Sequence, residues 1–182
     1  MGLDITAYRQ LTKLDCVFDE DGEPIDASTK EPLDYDLRVY INPDFPGRAD
    51  DLTPKAIYSA TESIGFCAGG YGGYNAWRDS LAQLAGYPKG TYEQYGQRHE
   101  SYCQACWDGA QGPFAELINF SDCEGVIGTA VSAKLAADFA KFDDQAIQHS
   151  EMSNRPDWFY PLYREWRAAF EMAADGGAVN FH

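Results

Sequence analysis

The sequence predicts an α+β fold, and three observations carry that prediction. Apolar residues alternate along the first third of the chain, fall into helical stripes along the last third, and return as a short apolar segment at 178–181 that suits a strand. The expected architecture is an antiparallel N-terminal sheet packed by C-terminal helices, with a short terminal strand. A length of 182 residues suits a single domain over 1–182. Residues 1–70 are expected to be mainly strand and loop, and 71–182 mainly helical.

The elements follow in order. Leu3-Asp4-Ile5-Thr6-Ala7-Tyr8 alternates as a half-buried strand does. Asp19-Glu20-Asp21-Gly22-Glu23-Pro24 is a turn, since Asp-Gly tolerates positive φ. Asp36-Leu37-Arg38-Val39-Tyr40-Ile41 alternates again and stops at Asn42-Pro43, opening an irregular loop over 42–54. Segments 56–60 and 63–66 predict two more short strands. From residue 74 the period lengthens. Asn75 is expected to cap a helix carrying Trp77, Leu81 and Leu84, closed by Gly86 and Pro88. Tyr92, Tyr95, Tyr102, Cys106 and Trp107 are compatible with a helix over 93–107, and 114–120 with a short strand. Val131, Leu135, Phe139 and Phe142 form one apolar stripe. Pro156 suits a first helical position, and Phe159, Tyr163, Trp166 and Phe170 form a second stripe that ends at Asp175-Gly176-Gly177.

Composition excludes several classes of function. The formal charge is −15, from 29 acids against 14 bases. The excess divides almost evenly, −7 over 1–60 and −8 over 61–182. Such a field repels phosphate backbones, and no basic cluster offsets it, so direct nucleic-acid binding is disfavoured. Hydrophobic residues make up 45%, enough for a core without disulfides or metal. No apolar run approaches the roughly 20 residues a membrane span needs. Residues 1–20 carry charges throughout and lack the apolar centre of a secretory signal. Five cysteines, at 16, 67, 103, 106 and 123, are an odd number. Reduced thiols in a cytoplasm are the expectation.

The segment Gly65-Phe66-Cys67-Ala68-Gly69-Gly70-Tyr71-Gly72-Gly73-Tyr74-Asn75-Ala76-Trp77 concentrates glycine and aromatic residues ahead of a helix. It matches neither phosphate-binding fingerprint. Even so, Gly69, Gly70, Gly72 and Gly73 are able to aim amides at an anion, with Arg78 one turn on. Tyr71, Tyr74 and Asn75 then offer stacking and a polar contact. A tight sheet-to-helix turn explains the same glycines without a ligand.

His99-x3-Cys103-x2-Cys106, with Cys123 beyond, has metal-ligand spacing, but a second Cys-x2-Cys is missing and buried packing of the thiols is the simpler account. Ser121-Asp122-Cys123-Glu124 matches a helix capping box. The alternative makes Asp122 and Glu124 a carboxylate pair for acid–base work, with Cys123 as nucleophile and His99 in support. No motif implies a cofactor.

The opening Met-Gly-Leu-Asp-Ile-Thr-Ala-Tyr resembles a family of uncharacterised proteins from bacteriophages and prophage-bearing bacteria. So do residues 41–50 (Ile-Asn-Pro-Asp-Phe-Pro-Gly-Arg-Ala-Asp), 117–125 (Leu-Ile-Asn-Phe-Ser-Asp-Cys-Glu-Gly) and 171–177 (Glu-Met-Ala-Ala-Asp-Gly-Gly). The resemblance implies a bacterial host cytoplasm and carries no activity or site residues with it. Three expectations follow for function. The first is small-molecule or nucleotide-like ligand binding at a pocket between the Gly/Tyr-rich segment and residues 121–128. The second is an acidic interaction protein or DNA mimic that occupies a host protein's basic site. The third is an enzyme using the carboxylate pair.

Overall fold

The structure, a computed structural model, describes residues 2–120, 125–153 and 156–182. It is α+β, with all paired strands antiparallel. The chain opens with β1 (Asp4–Arg9), then β2 (Thr12–Lys13), β3 (Cys16–Phe18), β4 (Pro24–Asp26), β5 (Leu37–Arg38), β6 (Ile57–Ser59) and β7 (Glu62–Cys67). Helix α1 (Tyr71–Leu84) follows, then β8 (Gly90–Gln94), β9 (Gln97–Ser101), α2 (Gln104–Trp107) and α3 (Ala115–Ile118). The rest is β10 (Gly125–Ile127), α4 (Thr129–Lys141), α5 (Asp143–Met152), α6 (Pro156–Ala173) and β11 (Ala178–Phe181).

The main sheet runs β10-β11-β1-β7, so the first strand pairs with the last. Register sorts its side chains by face, because successive residues of a strand point to opposite sides. Ile5 stands opposite Phe66 and Phe181, and Ala7 opposite Ile64 and Val179. These residues face the main core with α1 and α6. Tyr8, Ala178 and Val126 point the other way, into a smaller cluster with Leu37, Val39 and Tyr58. The second sheet, β2-β6-β5, supplies two of those partners. The centre of the main sheet is therefore buried on both faces. Gly177 admits the close approach of β11: a Cβ there would sit 1.8 Å from the Tyr8 carbonyl oxygen.

Trp166 of α6 is the hub of the main core. Its ring stacks on Tyr74 at 5.6 Å and Trp77 at 5.7 Å, both from α1. It meets Phe66 edge-on at 5.0 Å and lies 5.5 Å from Phe181. Helix α1 and two strands of one sheet, β7 and β11, thus converge on a single side chain of α6. Its Nε1–H finds no acceptor among the described residues, so the indole is kept for its area rather than its polarity.

Several expectations are corrected. Residues 93–107 are not one helix. β8 and β9 form a hairpin through Tyr95 (φ 53°) and Gly96 (φ 71°), two successive positive-φ residues of the kind that close a two-residue loop. Only 104–107 are helical. The segment 114–120 holds α3 rather than a strand, and the strand lies later, at β10. The first helix starts at Tyr71 with Gly70 as its N-cap, four residues ahead of Asn75. The carboxylates are also unevenly placed in space. Residues 15–36 hold nine acids against Lys30 alone, on an arm built around β3 and β4. Three of those acids hold turns: Asp19 accepts the amides of Asp21 and Glu23, Asp26 those of Ser28 and Thr29, and Asp36 that of Ala60. The Asp26 bonds pull its carboxyl down to about 2, led by the Ser28 hydroxyl.

Two outcomes are expected. Trp166→Ala should cost about 3–5 kcal/mol in urea unfolding, whereas Trp166→Phe, which also removes the unpaired N–H, should cost less than half of that. A small loss for the alanine variant would contradict the hub role. The second concerns His149 of α5, whose Nε2 lies 2.7 Å from the Ser80 hydroxyl of α1. Burial holds the His149 imidazole below its ordinary value of 6.5. The unfolded chain therefore takes up the proton first, and stability should fall as the pH drops through 6.5. His149→Gln should flatten that part of the curve; an unchanged slope would refute the assignment.

Candidate functional site

A cleft of ≈ 780 Å³ lies beside α1, on the side away from the sheet. One wall is the outer face of α1, where Asn75, Arg78 and Asp79 fall at helical spacing. The other is the β8–β9 hairpin with α2, which contributes Tyr92, Glu93 and Trp107. The inner face of the same helix, Tyr74, Trp77 and Leu81, is wholly buried in the core.

Asp79 ties the two walls together. Its Oδ1 accepts the Ser101 hydroxyl at 2.6 Å and the Tyr102 amide at 2.6 Å. Ser101 Oγ in turn accepts the Cys103 amide at 3.0 Å. A carboxylate holding two donors at the point where hairpin meets helix is a rigid hinge pin. On the hairpin, Tyr92 stacks on its cross-strand neighbour His99 at 5.3 Å and meets Trp107 edge-on at 5.3 Å and 83°. Trp107 stays 40% exposed. Gly90, at the base of the hairpin, lets Gln104 of α2 pack against the strand, where a Cβ would meet Gln104 Cβ at 2.6 Å.

The charges are mixed but lean negative. Arg78 is 3% exposed. Its guanidinium donates to the Ile118 carbonyl at 2.6 Å and to Asn75 Oδ1, and lies 5.0 Å over the Tyr74 ring. Glu100 pairs with Lys89 at 2.8 Å, and that bond lowers its carboxyl's proton affinity.

The residues singled out from sequence are distributed as follows. Asn75 and Arg78 line the cleft. Gly69, Gly70, Tyr71, Gly72 and Gly73 do not: Gly69 (φ +94°) and Gly70 make the turn, and the other three form the first turn of α1. Tyr74 has no exposed surface, and its hydroxyl donates to the Phe120 carbonyl at 3.1 Å, so its ring serves the core. Cys103 and Cys106 are buried, and burial pushes the Cys103 thiol up to about 11 and raises that of Cys106. Burial of this kind disfavours the thiolate that a nucleophilic mechanism uses. His99 stands on β9 against Tyr92. No group of three or more His, Cys, Asp or Glu is placed to hold a metal among the described residues. Asp122, Cys123 and Glu124, and with them the capping box and the carboxylate pair, lie outside the described residues.

Asp79, Tyr92, Glu93 and Trp107 were not anticipated. The available signal was Tyr95-Gly96 between two polar runs, 90–94 and 97–101, which marks a hairpin once glycine's positive φ is considered. No helix is long and apolar enough to cross a membrane among the described residues. Compared with protein-family models, with curated proteins and with solved structures, the chain matches none.

Two outcomes test this description. Gly72→Ala and Gly73→Ala place a methyl group in open space at helical positions. Each should raise stability by about 0.5 kcal/mol in urea unfolding, and a loss would show that the two glycines are needed for something other than the helix. Asp79→Ala leaves two donors without their acceptor and should cost about 1–3 kcal/mol. Amide exchange should accelerate chiefly over 90–103; acceleration spread evenly through the chain would rule out the pinning role.

Proposed function

We propose that the protein binds a small ring-bearing or polar organic ligand in the cleft between α1 and the β8–β9 hairpin. The supporting observation is the size and make-up of that cleft: ≈ 780 Å³ falls inside the roughly 300–1,000 Å³ range of ligand sites. Trp107 keeps an exposed ring face there, and Asn75, Asp79 and Gln94 supply polar contacts. Exposed aromatic surface beside fixed polar groups is the usual make-up of a small-molecule site. The site differs in position from the one expected between the Gly/Tyr-rich segment and residues 121–128. The resemblance to bacteriophage and prophage proteins adds no activity to this reading.

A thermal-shift and tryptophan-emission screen with nucleosides, nucleotides, sugars and organic cations is the direct test. A ligand should raise the melting temperature and perturb emission, and Trp107→Ala should abolish both. Absence of any response across the panel would remove the proposal.

A second reading has one observation of its own. The β3–β4 arm combines the acids of 15–36 with Val17, Phe18 and Tyr35, each between 38% and 44% exposed. Arg38 holds the arm, with its guanidinium 4.9 Å over the Phe18 ring and donating to the Gly22 carbonyl at 3.1 Å. Carboxylates around exposed rings suit the basic, partly apolar surface of another protein. That is the acidic interaction role, with the host partner and its DNA-mimicking form both unassigned.

A further inference from the structure

We infer that the cleft between α1 and the β8–β9 hairpin selects an organic cation, a compact ammonium or guanidinium compound. This inference rests on the cleft being a ligand site and names the chemical class it takes.

Two walls of the cleft argue for it. Tyr92 and Trp107 both line the cleft, and Trp107, held edge-on to Tyr92 with centroids at 5.3 Å, keeps 40% of its surface exposed. Ring faces carry negative quadrupole density, and a cation lodged against the exposed indole is attracted by it. The helix wall supplies formal charge. Asp79 spends Oδ1 on Ser101 and Tyr102, whereas Oδ2 takes no hydrogen bond or ion pair among the described residues, and Lys89 acts on the carboxylate through its field alone. Glu93, which takes no hydrogen bond or ion pair among the described residues, belongs to the same lining. Glu100, the third carboxylate of the lining, is answered by Lys89.

The positive groups do not offset this. Arg78 is the cation of the lining, and its guanidinium is committed to the Ile118 carbonyl and the Asn75 side chain. Arg98 stands across the hairpin from Glu93 and donates to Thr91 Oγ1 at 3.4 Å. An entering phosphate would meet Asp79 and Glu93 within a chain of net charge −15. An entering cation would meet the Asp79 carboxylate, the acidic residue Glu93 and the exposed Trp107 ring. The nucleotide-like ligand expected from the Gly-rich segment is thus the class this lining disfavours, since the local field sets which sign of charge is concentrated.

The experiment is an amide-shift titration of the intact chain with choline and agmatine as cation probes, and with ribose and AMP as neutral and anionic comparators. Saturable shifts confined to 75–79 and 90–107 are expected with at least one cation, weakening several-fold from 0.05 to 0.5 M salt. Trp107→Ala should weaken that binding about tenfold, Trp107→Tyr should restore most of it, and Glu93→Gln should weaken it about threefold. Glu93 is exposed, so its variant leaves the fold unchanged. Cation binding that ignores both Trp107→Ala and Glu93→Gln would overturn the inference. Ribose or AMP binding in the cleft, with choline and agmatine silent, would overturn it while leaving the ligand-site reading intact. Silence from all four, together with silence across the wider screen, would remove the reading and the inference together.

Discussion

Everything else in this structure depends on the stacking of Trp166 against the rings brought to it by α1 and the main sheet. Tyr74 and Trp77 from the helix and Phe66 and Phe181 from the sheet all lie within 6 Å of it, centroid to centroid. Large flat side chains bury much area for little lost rotamer freedom. A single indole in that position sets the height of α1 and of α6 above the strands. It also couples the two ends of the chain, because Phe181 arrives on β11, which pairs with β1.

The cleft is a consequence of that arrangement. A helix locked by its inner face presents its outer face at a defined angle, and residues at i, i+3 and i+4 share that face. Tyr74, Trp77 and Leu81 are consumed inside, leaving Asn75 and Asp79 to face the cleft above the buried Arg78. Asp79 then fixes the hairpin through two short hydrogen bonds. The distance between the walls is thus set by packing on one side and by hydrogen bonds on the other. Such a gap keeps its shape without a ligand, which lowers the ordering cost of binding.

Much of the fold was legible from local pattern, and the failures share a cause. The stripe of α6 and the alternation of β1 are visible because each element buries one face against a large, continuous neighbour. The hairpin was missed because Tyr92, Tyr95, Tyr102 and Cys106 fall near helical spacing by coincidence. They belong to a strand, a turn, a post-strand bend and a short helix. Its true determinants are a two-residue turn and cross-strand pairs such as Tyr92 with His99, which no single-strand period reveals. The early start of α1 was hidden for another reason. Glycine is a poor helix former, yet Gly72 and Gly73 are helical because Tyr74 and Trp77 must both reach the core. Tertiary burial moved the N-cap five residues earlier, from Asn75 to Gly70.

By itself the sequence determined the class of fold, the strand-first order and the helix that carries Trp166. These follow from periodicity, which is a property of the chain alone. The tertiary structure decided the rest. It sent the Gly/Tyr-rich segment into a helix start and spent Tyr74 on the core. It spent Arg78 on a backbone carbonyl, and it brought Asp79, Glu93, Tyr92 and Trp107 around one hollow. Those four residues span almost thirty positions, and only the burial of α1 and the bonds to Asp79 place them together.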